Sequence, residues 1–600
     1  MECRHLPLHL RITKFISGCL DAYHLHLSES LVTNSLAIVV GILTGYGAVG
    51  FRWLIANFTG FWDYSGIPFI QKIFPYMGDF AFVPVPVVGF LLVALITWKV
   101  SEVRGEGIPE VMESVALKGG RIRGRVLLAK PLACAITIGF GGSVGREGPI
   151  VQIGSTIGSL VSTVLRMSTE RRKWLVACGA GAGIAATFNA PIAGVIFAME
   201  VILHGSSLRS FASVVLATVS GSIIGRMYFG NTPAFEVPQY AYTSHVEIIF
   251  YLLMGVVAAY IGVSFTKIKS MLEESLKKIA QNIFARAAIG GLILGIIGTL
   301  YPEIRGVGYE GISSALNSNM VWTIMLALMI AKLLATSLTI ASGGSGGIFA
   351  PCLFIGSMMG GVCGHIFNAI LPEHVSGPQP YALVGMAAVY AAAARAPFSS
   401  IIILFELTGN YEIILPLMAS VVIATVIANH ISPDSIYTEK LKRRGVRLQW
   451  GANADILESI KIKDVMVMDV DTVRENTSKK ELENLFNTTH HNGFPVLDKS
   501  DRLVGIVTHN DFYAASRLPD YAPVDRFCTH TLLMAHPDDN LSKAIKMLRV
   551  RDVGRLLVVD EDDESILIGI ITRSDILTAY ERALKIISSD DIPLDLSAHI

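Results

Sequence analysis

Six hundred residues carry 49 Lys and Arg against 49 Asp and Glu, with 52% hydrophobic and 16% charged residues. Soluble chains carry about 25% charged residues, so an ordinary soluble protein is excluded, and the neutral balance gives no electrostatic footing for nucleic-acid binding. The charge is uneven: residues 30–430 are mostly apolar and 438–600 read as soluble, which describes a membrane protein with a soluble tail.

The chain opens with MECRHLPLHLRITKF, basic and without a short apolar core ending in a small-residue cleavage site. It is expected to be retained and to lie on the cytoplasmic side. Apolar stretches long enough to cross, or nearly cross, a ~30 Å hydrocarbon core follow at 34–56, 85–98, 248–265, 287–301, 322–341 and 415–428. Four others, 139–165, 178–199, 343–370 and 380–408, are short and interrupted by Gly or Pro. Irregular backbone in a membrane is tolerated where it faces protein or water, so these broken segments are expected to line a solute pathway. They fall on both sides of a polar link near 230–245, which suggests two halves that each contribute half-helices to a central site.

The tail contains a repeat. LVGIVTHNDFY (503–513) and LIGIITRSDIL (567–577) match, each preceded by a helical pattern and by an apolar strand with a turn. Two βαββ-like units with closing helices are expected. The seven cysteines are scattered without CxxC or Cys/His spacing, so neither a disulfide framework nor a zinc site is indicated. His490, His491 and His530 read as surface residues. GYGAVG (45–50) satisfies G-x-G-x-x-G but lies within an apolar helix-length run, where small residues serve helix packing.

The chemistry concentrates in three glycine-rich breaks. In GFGGSVGREGPIVQIGS (139–155), Pro149 suits a first helical turn and the glycines allow the backbone before it to turn sharply. Free amides of a helix N-terminus would carry partial positive charge there, with Glu147 as a tethered anion. The alternative is a structural contact between Arg146 and Glu147. RGEGIPEV (104–111) and SGGSGGIFAP (342–351) are similar breaks. Converging half-helix N-termini would bind an anion with backbone dipoles.

GREGP (145–149), G-x-G-I-P (105–109), GGIFAP (346–351), FNAPIAGVIFAME (188–200) and FELTGNY (405–411), in this order over roughly residues 30–440, resemble the CLC family of chloride channels and anion–proton antiporters, in a prokaryotic-like form. The resemblance implies an all-α polytopic membrane domain of two inverted halves with broken helices, in a homodimer with one pore per subunit. It makes Glu147 similar to the gating glutamate that blocks the pore and swings away when protonated or displaced. The implied anion-contacting set is Glu106, Gly107, Ile108, Arg146, Glu147, Gly148, Ile348, Phe349 and Tyr437. Chloride is the implied ligand, with no cofactor required and no enzymatic activity.

Two residues depart from the family pattern. Glu106 stands where the chloride-selective pattern usually has Ser; kept protonated by desolvation it could donate its O–H, or its side chain could turn away. Val201 stands where antiporters commonly carry a second glutamate, and a Val cannot relay protons. The expectation is passive conduction, with antiport through another proton route such as Glu106 as the alternative. From another class, a CBS-regulated divalent-cation transporter would draw on Glu106, Glu110 and Glu113.

The tail repeats resemble a pair of α/β CBS domains, where Gly505, Thr508 and Asp511, with Gly569, Thr572 and Asp575, would contact an adenine nucleotide; the alternative is a pair that only dimerises. The expected organisation is a cytoplasmic segment at 1–30, a transport domain at 31–437, a linker at 438–459, CBS domains at 460–518 and 519–583, and a tail at 584–600. The expected location is a bacterial inner membrane, with the N-terminus and the CBS tail cytoplasmic.

Overall fold

The computed structural model describes residues 29–588 except 205–209, 232–234, 236–243, 245, 318–319, 445, 447–456, 458–459, 490 and 551–552. The chain divides into two units, 1–448 and 449–600. The expected N-terminal segment therefore lies almost wholly outside the described residues, as do most of the linker and the end of the tail.

The first unit is all-helical. Its principal helices are α1 (Glu29–Phe61), α2 (Pro84–Lys99), α3 (Ile108–Leu117), α4 (Val126–Gly139), α5 (Glu147–Val164), α6 (Thr169–Phe188) and α7 (Pro191–Phe197). They continue with α8 (Phe211–Phe229), α9 (Glu247–Ile279), α10 (Ile283–Leu300), α11 (Tyr309–Asn317) and α12 (Trp322–Ala341). The last five are α13 (Phe349–Ile370), α14 (Pro378–Ala394), α15 (Pro397–Thr408), α16 (Ile414–Ile431) and α17 (Thr438–Arg443). Among the described residues, seven helices are long and apolar enough to cross a membrane, or eight if the bent pair ending at Lys99 is one span. Large apolar side chains point outward from them, including Trp53, Trp98, Ile223 and Val426. Such a surface is stable against lipid and not against water.

All six expected uninterrupted spans are helices. A further span, α8, went unread because Ser213, Thr218 and Ser222 dilute its apolar signal; all three are buried inside the protein. The broken segments became the innermost pairs. α5 packs on α6 through Gly154, Gly158 and Gly179, where an added Cβ would fall on a facing backbone carbonyl. α13 packs on α14 in the same way through Gly356, Gly360 and Gly385.

The two halves are related by matched contacts. Lys130 on α4 donates to the carbonyls of Val103 and Gly105, and Lys332 on α12 to those of Ile304 and Gly306. Thr137 Oγ1 accepts from the amide of Ser345, and Thr339 Oγ1 accepts from that of Ser143, so each half holds the other's turn. Glu200 accepts from the amides of Phe398 and Ser399 at the start of α15, and Glu406 from those of Ile192 and Ala193 at the start of α7. Each of these carboxylates offsets a helix dipole belonging to the opposite half.

The expected linker begins instead with α17, whose Leu441 is fully buried in the first unit and whose Lys440 pairs with Glu110 at 2.7 Å. The basic run here, which resembles a solvated linker by composition, is drawn onto the acids of α3.

The second unit contains two copies of one βαββα arrangement. The first comprises β1 (Val473–Arg474), α18 (Lys479–Thr489), β2 (Gly493–Leu497), β3 (Leu503–Thr508) and α19 (His509–Ala514). The second comprises β4 (Met534–Ala535), α20 (Leu541–Val550), β5 (Arg555–Val559), β6 (Leu567–Thr572) and α21 (Arg573–Ser588). Each makes a three-stranded sheet with one parallel and one antiparallel pairing, and a register irregularity at the same place, Val496/Leu497 and Val558/Val559. Leu503, Leu557 and Val559 form a shared buried cluster between the copies.

The close α5–α6 contact makes a contrast testable. Gly154→Ala is expected to cost about 1–3 kcal/mol, as overpacking does, and to lower the thermal midpoint of the detergent-purified chain followed by tryptophan fluorescence. Gly50→Ala on α1 has nothing within 4 Å of the new methyl and is expected to leave that midpoint unchanged or raised.

Candidate functional site

The three glycine-rich breaks meet. Gly145 and Gly347 exchange two main-chain hydrogen bonds, of 2.7 and 2.6 Å, in a short antiparallel bridge. Gly105 pairs with Ser345 in a parallel bridge, the amide of Gly346 donating to the carbonyl of Gly105 at 3.2 Å. A side chain at Gly148 would strike the carbonyl of Glu106 and approach the Cα of Gly347 at 3.1 Å. Only glycine allows three backbones this close. Gly105, Gly107, Gly141 and Gly343 also hold positive φ, of 82°, 97°, 81° and 94°, which lets the chain turn into each helix.

This junction puts the N-termini of α5 and α13 side by side, with that of α3 against them. The first amides of a helix have no partner within it, and the positive ends of the dipoles face one another. Glu147 is the first residue of α5 and is fully buried. Its Oε1 accepts from the Tyr309 hydroxyl at 2.9 Å. Its Oε2 has no hydrogen-bond partner, and the main-chain amides of Glu147 and Ala350 lie near the carboxylate. The side chain curls back over Gly145, where a Cβ would collide with Oε2. The carboxylate thus lies between the starts of two helices, a position chemically suited to a free anion.

Arg146 does not pair with Glu147 among the described residues. Its guanidinium lies over the Tyr309 ring, 5.1 Å from the centroid. The structural alternative read from the sequence, an Arg–Glu contact at the bend, is therefore not what the fold builds.

Ile348 and Phe349 are buried at the start of α13. The Phe349 ring packs edge-on against Tyr390, centroids 4.6 Å apart, and Tyr390 neighbours Tyr437. Tyr437 is only 1% exposed, yet its hydroxyl has no hydrogen-bond partner. Gly107 and Ile108 open α3, and the Gly107 amide donates to Glu110 Oε2 at 3.0 Å. Glu106 is 1% exposed and meets the Lys269 ammonium of α9 at 2.6 Å. The site residues read from the sequence thus lie at this junction or are joined to it through Tyr390. Val201 is buried in the π-helical turn Ala198–Ile202 that follows α7.

Tyr309, Lys269, Lys130, Lys332 and the Thr137–Thr339 pair escaped the sequence reading. A signal existed for the lysines: each of Lys130 and Lys332 stands alone in an apolar run, LLAKPLA and MIAKLLA. Lys269 was hidden because it follows Lys267 in the charged end of α9, which resembles an interfacial helix end.

The acids that would have served a divalent cation are all engaged. Glu106 pairs with Lys269, Glu110 with Lys440 and Arg444, and Glu113 with Lys118 and Arg444. In the second unit Asp525, Cys528 and His530 approach one another. Burial pushes the Cys528 thiol up to about 11.

The tail motif residues are committed to local structure. Thr508 Oγ1 and its amide both donate to Asp511 Oδ2, at 2.7 and 2.8 Å, and Thr572 and Asp575 repeat these bonds. Side chains at Gly505 and Gly569 would press on Cys528 and on the carbonyl of Val467. A cavity of about 400 Å³ lies beside the second copy, bounded in part by Arg549, Arg573, Ile576 and Tyr580.

These features define a membrane protein whose helix N-termini converge on a buried carboxylate, with a repeated α/β tail. A family model for the voltage-gated chloride channels matches residues 88–429, more than half of the chain, and a CBS-domain model matches 462–517 and 524–582. The chain belongs to the voltage-gated chloride channel (CLC) family of anion transport proteins and carries a CBS pair. It is 33% identical over 364 residues to a putative ClcB-like chloride channel protein of Ralstonia nicotianae, covering 60% of this chain and 85% of that one. It is 32% identical over 428 residues to the H+/Cl− exchange transporter ClcA of Salmonella agona, covering 68% and 88%. The structure of a slow cyanobacterial Cl−/H+ antiporter is similar with a TM-score of 0.64 at 27% identity, over 70% of this chain and 98% of that one. The divalent-cation alternative is set aside by this membership and by the pairing of its acids.

Because Thr508 caps α19, Thr508→Ala is expected to lower the stability of the second unit by about 1 kcal/mol, read as an earlier unfolding transition of the full chain in urea. Thr572→Ala is expected to have a similar effect.

Proposed function

We propose that this protein moves chloride or a similar anion across a membrane through a site gated by Glu147. The observation that carries the proposal is the position of the Glu147 carboxylate, buried between the starts of α5 and α13 with one oxygen unpartnered. A carboxylate there occupies an anion's place, and its withdrawal leaves amides for the solute. The amides of Gly148, Ile348 and Phe349 and the hydroxyl of Tyr437 are the proposed ligands, with Arg146 acting through Tyr309. Backbone dipoles hold an anion less tightly than a paired cation would, which allows it to leave.

Passive conduction is the reading favoured by Val201, which is buried and carries no proton. A second reading, exchange of anion for proton, is favoured by Glu106, a buried carboxyl with an unpartnered Oε2. We place the protein as a homodimer in a bacterial inner membrane with its termini cytoplasmic, and assign the CBS pair a regulatory role with an adenine nucleotide as its candidate ligand. The motif's Thr–Asp capping bonds account for those residues without a ligand, so nucleotide binding rests on the family resemblance.

The test is simultaneous chloride and proton flux from proteoliposomes with valinomycin clamping the voltage. Chloride efflux without uphill proton movement is expected; chloride-driven proton pumping would replace conduction with exchange, and no chloride flux would overturn the proposal. Tyr309→Phe removes the donor that holds Glu147 in place. The loss of one hydrogen bond to a carboxylate, ~1.4 kcal/mol, is expected to raise chloride flux roughly tenfold.

A further inference from the structure

Several arginines near α3 have acidic partners. Arg123 and Arg125 both meet Glu102, Arg443 meets Glu274 and Glu439, and Arg444 meets Glu110 and Glu113. Two others do not. Arg104 closes the short 3-10 turn after α2, immediately before Gly105, and Arg286 lies in the first turn of α10. Each is half-buried with its Nε withdrawn from solvent. Among the described residues neither guanidinium has an ion-pair or hydrogen-bond partner. The two nevertheless lie within electrostatic reach of each other, and Arg444 adds a third positive charge. The Glu273 carboxylate near them is already engaged by Lys277 at 2.8 Å. Two guanidiniums that have each given up water on one edge, and that face like charge, call for an anion.

Their place in the fold narrows the kind of anion. α2 and α10 pack antiparallel, Gly291 against Val87 and Gly295 against Val83, so the end of α2 lies beside the start of α10. The outer faces of both helices are apolar and exposed, with Leu92 and Leu95 on one and Ile289 and Ile293 on the other. Trp98 and Lys99, both exposed, end α2, and such residues mark the level of lipid headgroups. Side chains on a helix lean toward its N-terminus, which carries the Arg286 guanidinium to that same level. The two arginines thus stand at headgroup depth, beside a pair of helices whose outer surface suits acyl chains. Lys99, Arg123 and Arg125 belong to this end too, and a basic end is the cytoplasmic one.

A guanidinium offers parallel N–H donors that match the oxygens of a phosphate. We infer that Arg104 and Arg286 bind the phosphate of an anionic phospholipid at the cytoplasmic end of α2 and α10. Basic pockets between membrane helices suit such headgroups. The acids of this region, Glu102, Glu110, Glu113 and Glu273, already have cationic partners. None is free to receive the ammonium of a choline or ethanolamine, so the excess positive charge selects a headgroup that lacks one. The lipid site is joined to the junction of the glycine-rich turns. Gly105, next after Arg104, accepts from the Gly346 amide and from the Lys130 ammonium. The start of α10 meets the turn before α13, Ile283 lying 4.0 Å from where a Cβ of Gly343 would be. A lipid held by both arginines braces the two turns together.

The test is native mass spectrometry of the full chain in detergent, titrated with phosphatidylglycerol and with phosphatidylcholine of the same acyl chains. Phosphatidylglycerol is expected to fill its first site roughly tenfold more tightly than phosphatidylcholine, and Arg104→Gln/Arg286→Gln is expected to remove that preference. Arg123→Gln takes a cation from the same end and is expected to keep the preference; its loss there would reduce the effect to surface charge and overturn the inference. If the double variant fails to fold, Arg286→Gln alone enters the same titration. Its thermal midpoint, with and without phosphatidylglycerol, is then expected to show less lipid stabilisation than the unaltered chain. Inorganic phosphate added without lipid is expected to leave the midpoint unchanged. A rise with phosphate that the arginine variants lose would make this a site for a soluble phosphate and overturn the lipid assignment. Equal binding of the two lipids, or a preference that survives loss of both arginines, overturns it as well.

Discussion

Two helix N-termini are held against each other by the paired main-chain bonds of Gly145 and Gly347. Their dipoles present like partial charge to the same small volume, and in a membrane no bulk water is at hand to screen it. Such a junction is stabilised by negative charge, and the fold supplies one on a short tether, Glu147. The rest of the first unit follows from the need to bring these ends together without side chains intervening. That need places glycine at each turn and at the α5–α6 and α13–α14 contacts, and a threonine from each half under the other half's loop.

The inverted relation of the halves supplies further support in matched pairs. Lys130 and Lys332 neutralise clustered carbonyls where the chain turns before α3 and α11. Glu200 and Glu406 each cap a helix of the opposite half. Buried charges of this kind are costly when isolated, and each is met by backbone groups that would otherwise be unsatisfied. Function departs from the symmetry. Where one half has Glu147 at the start of α5, the other has Phe349 at the start of α13, so one helix end carries a carboxylate and the other an aromatic ring.

Much of this was legible in the sequence because membranes constrain patterns strongly. Uninterrupted apolar runs became spans, and the glycine breaks became the converging turns. The tail repeat became two matching sheets. Less legible were features that depend on long-range pairing. α8 was masked by serines and threonines that face protein. The reciprocal threonines lie some two hundred residues apart in sequence, and neither stands out alone. Glu106 was visible as a departure, but its partner Lys269 was not, since a lysine at a helix end gives no hint that it turns inward. The Arg146–Glu147 adjacency suggested an ion pair that the fold does not make, because Tyr309 takes a place beside each.

The central claim, that main-chain amides at the starts of α5 and α13 bind an anion whose place Glu147 otherwise takes, is tested most directly by anomalous scattering of bromide in crystals of the protein. The account predicts a bromide peak near the amides of Ile348 and Phe349 and the Tyr437 hydroxyl, with a second peak at the vacated carboxylate position in Glu147→Gln crystals. Bromide bound only at surface lysines and arginines, or a Glu147→Gln map with nothing at that position, would contradict it.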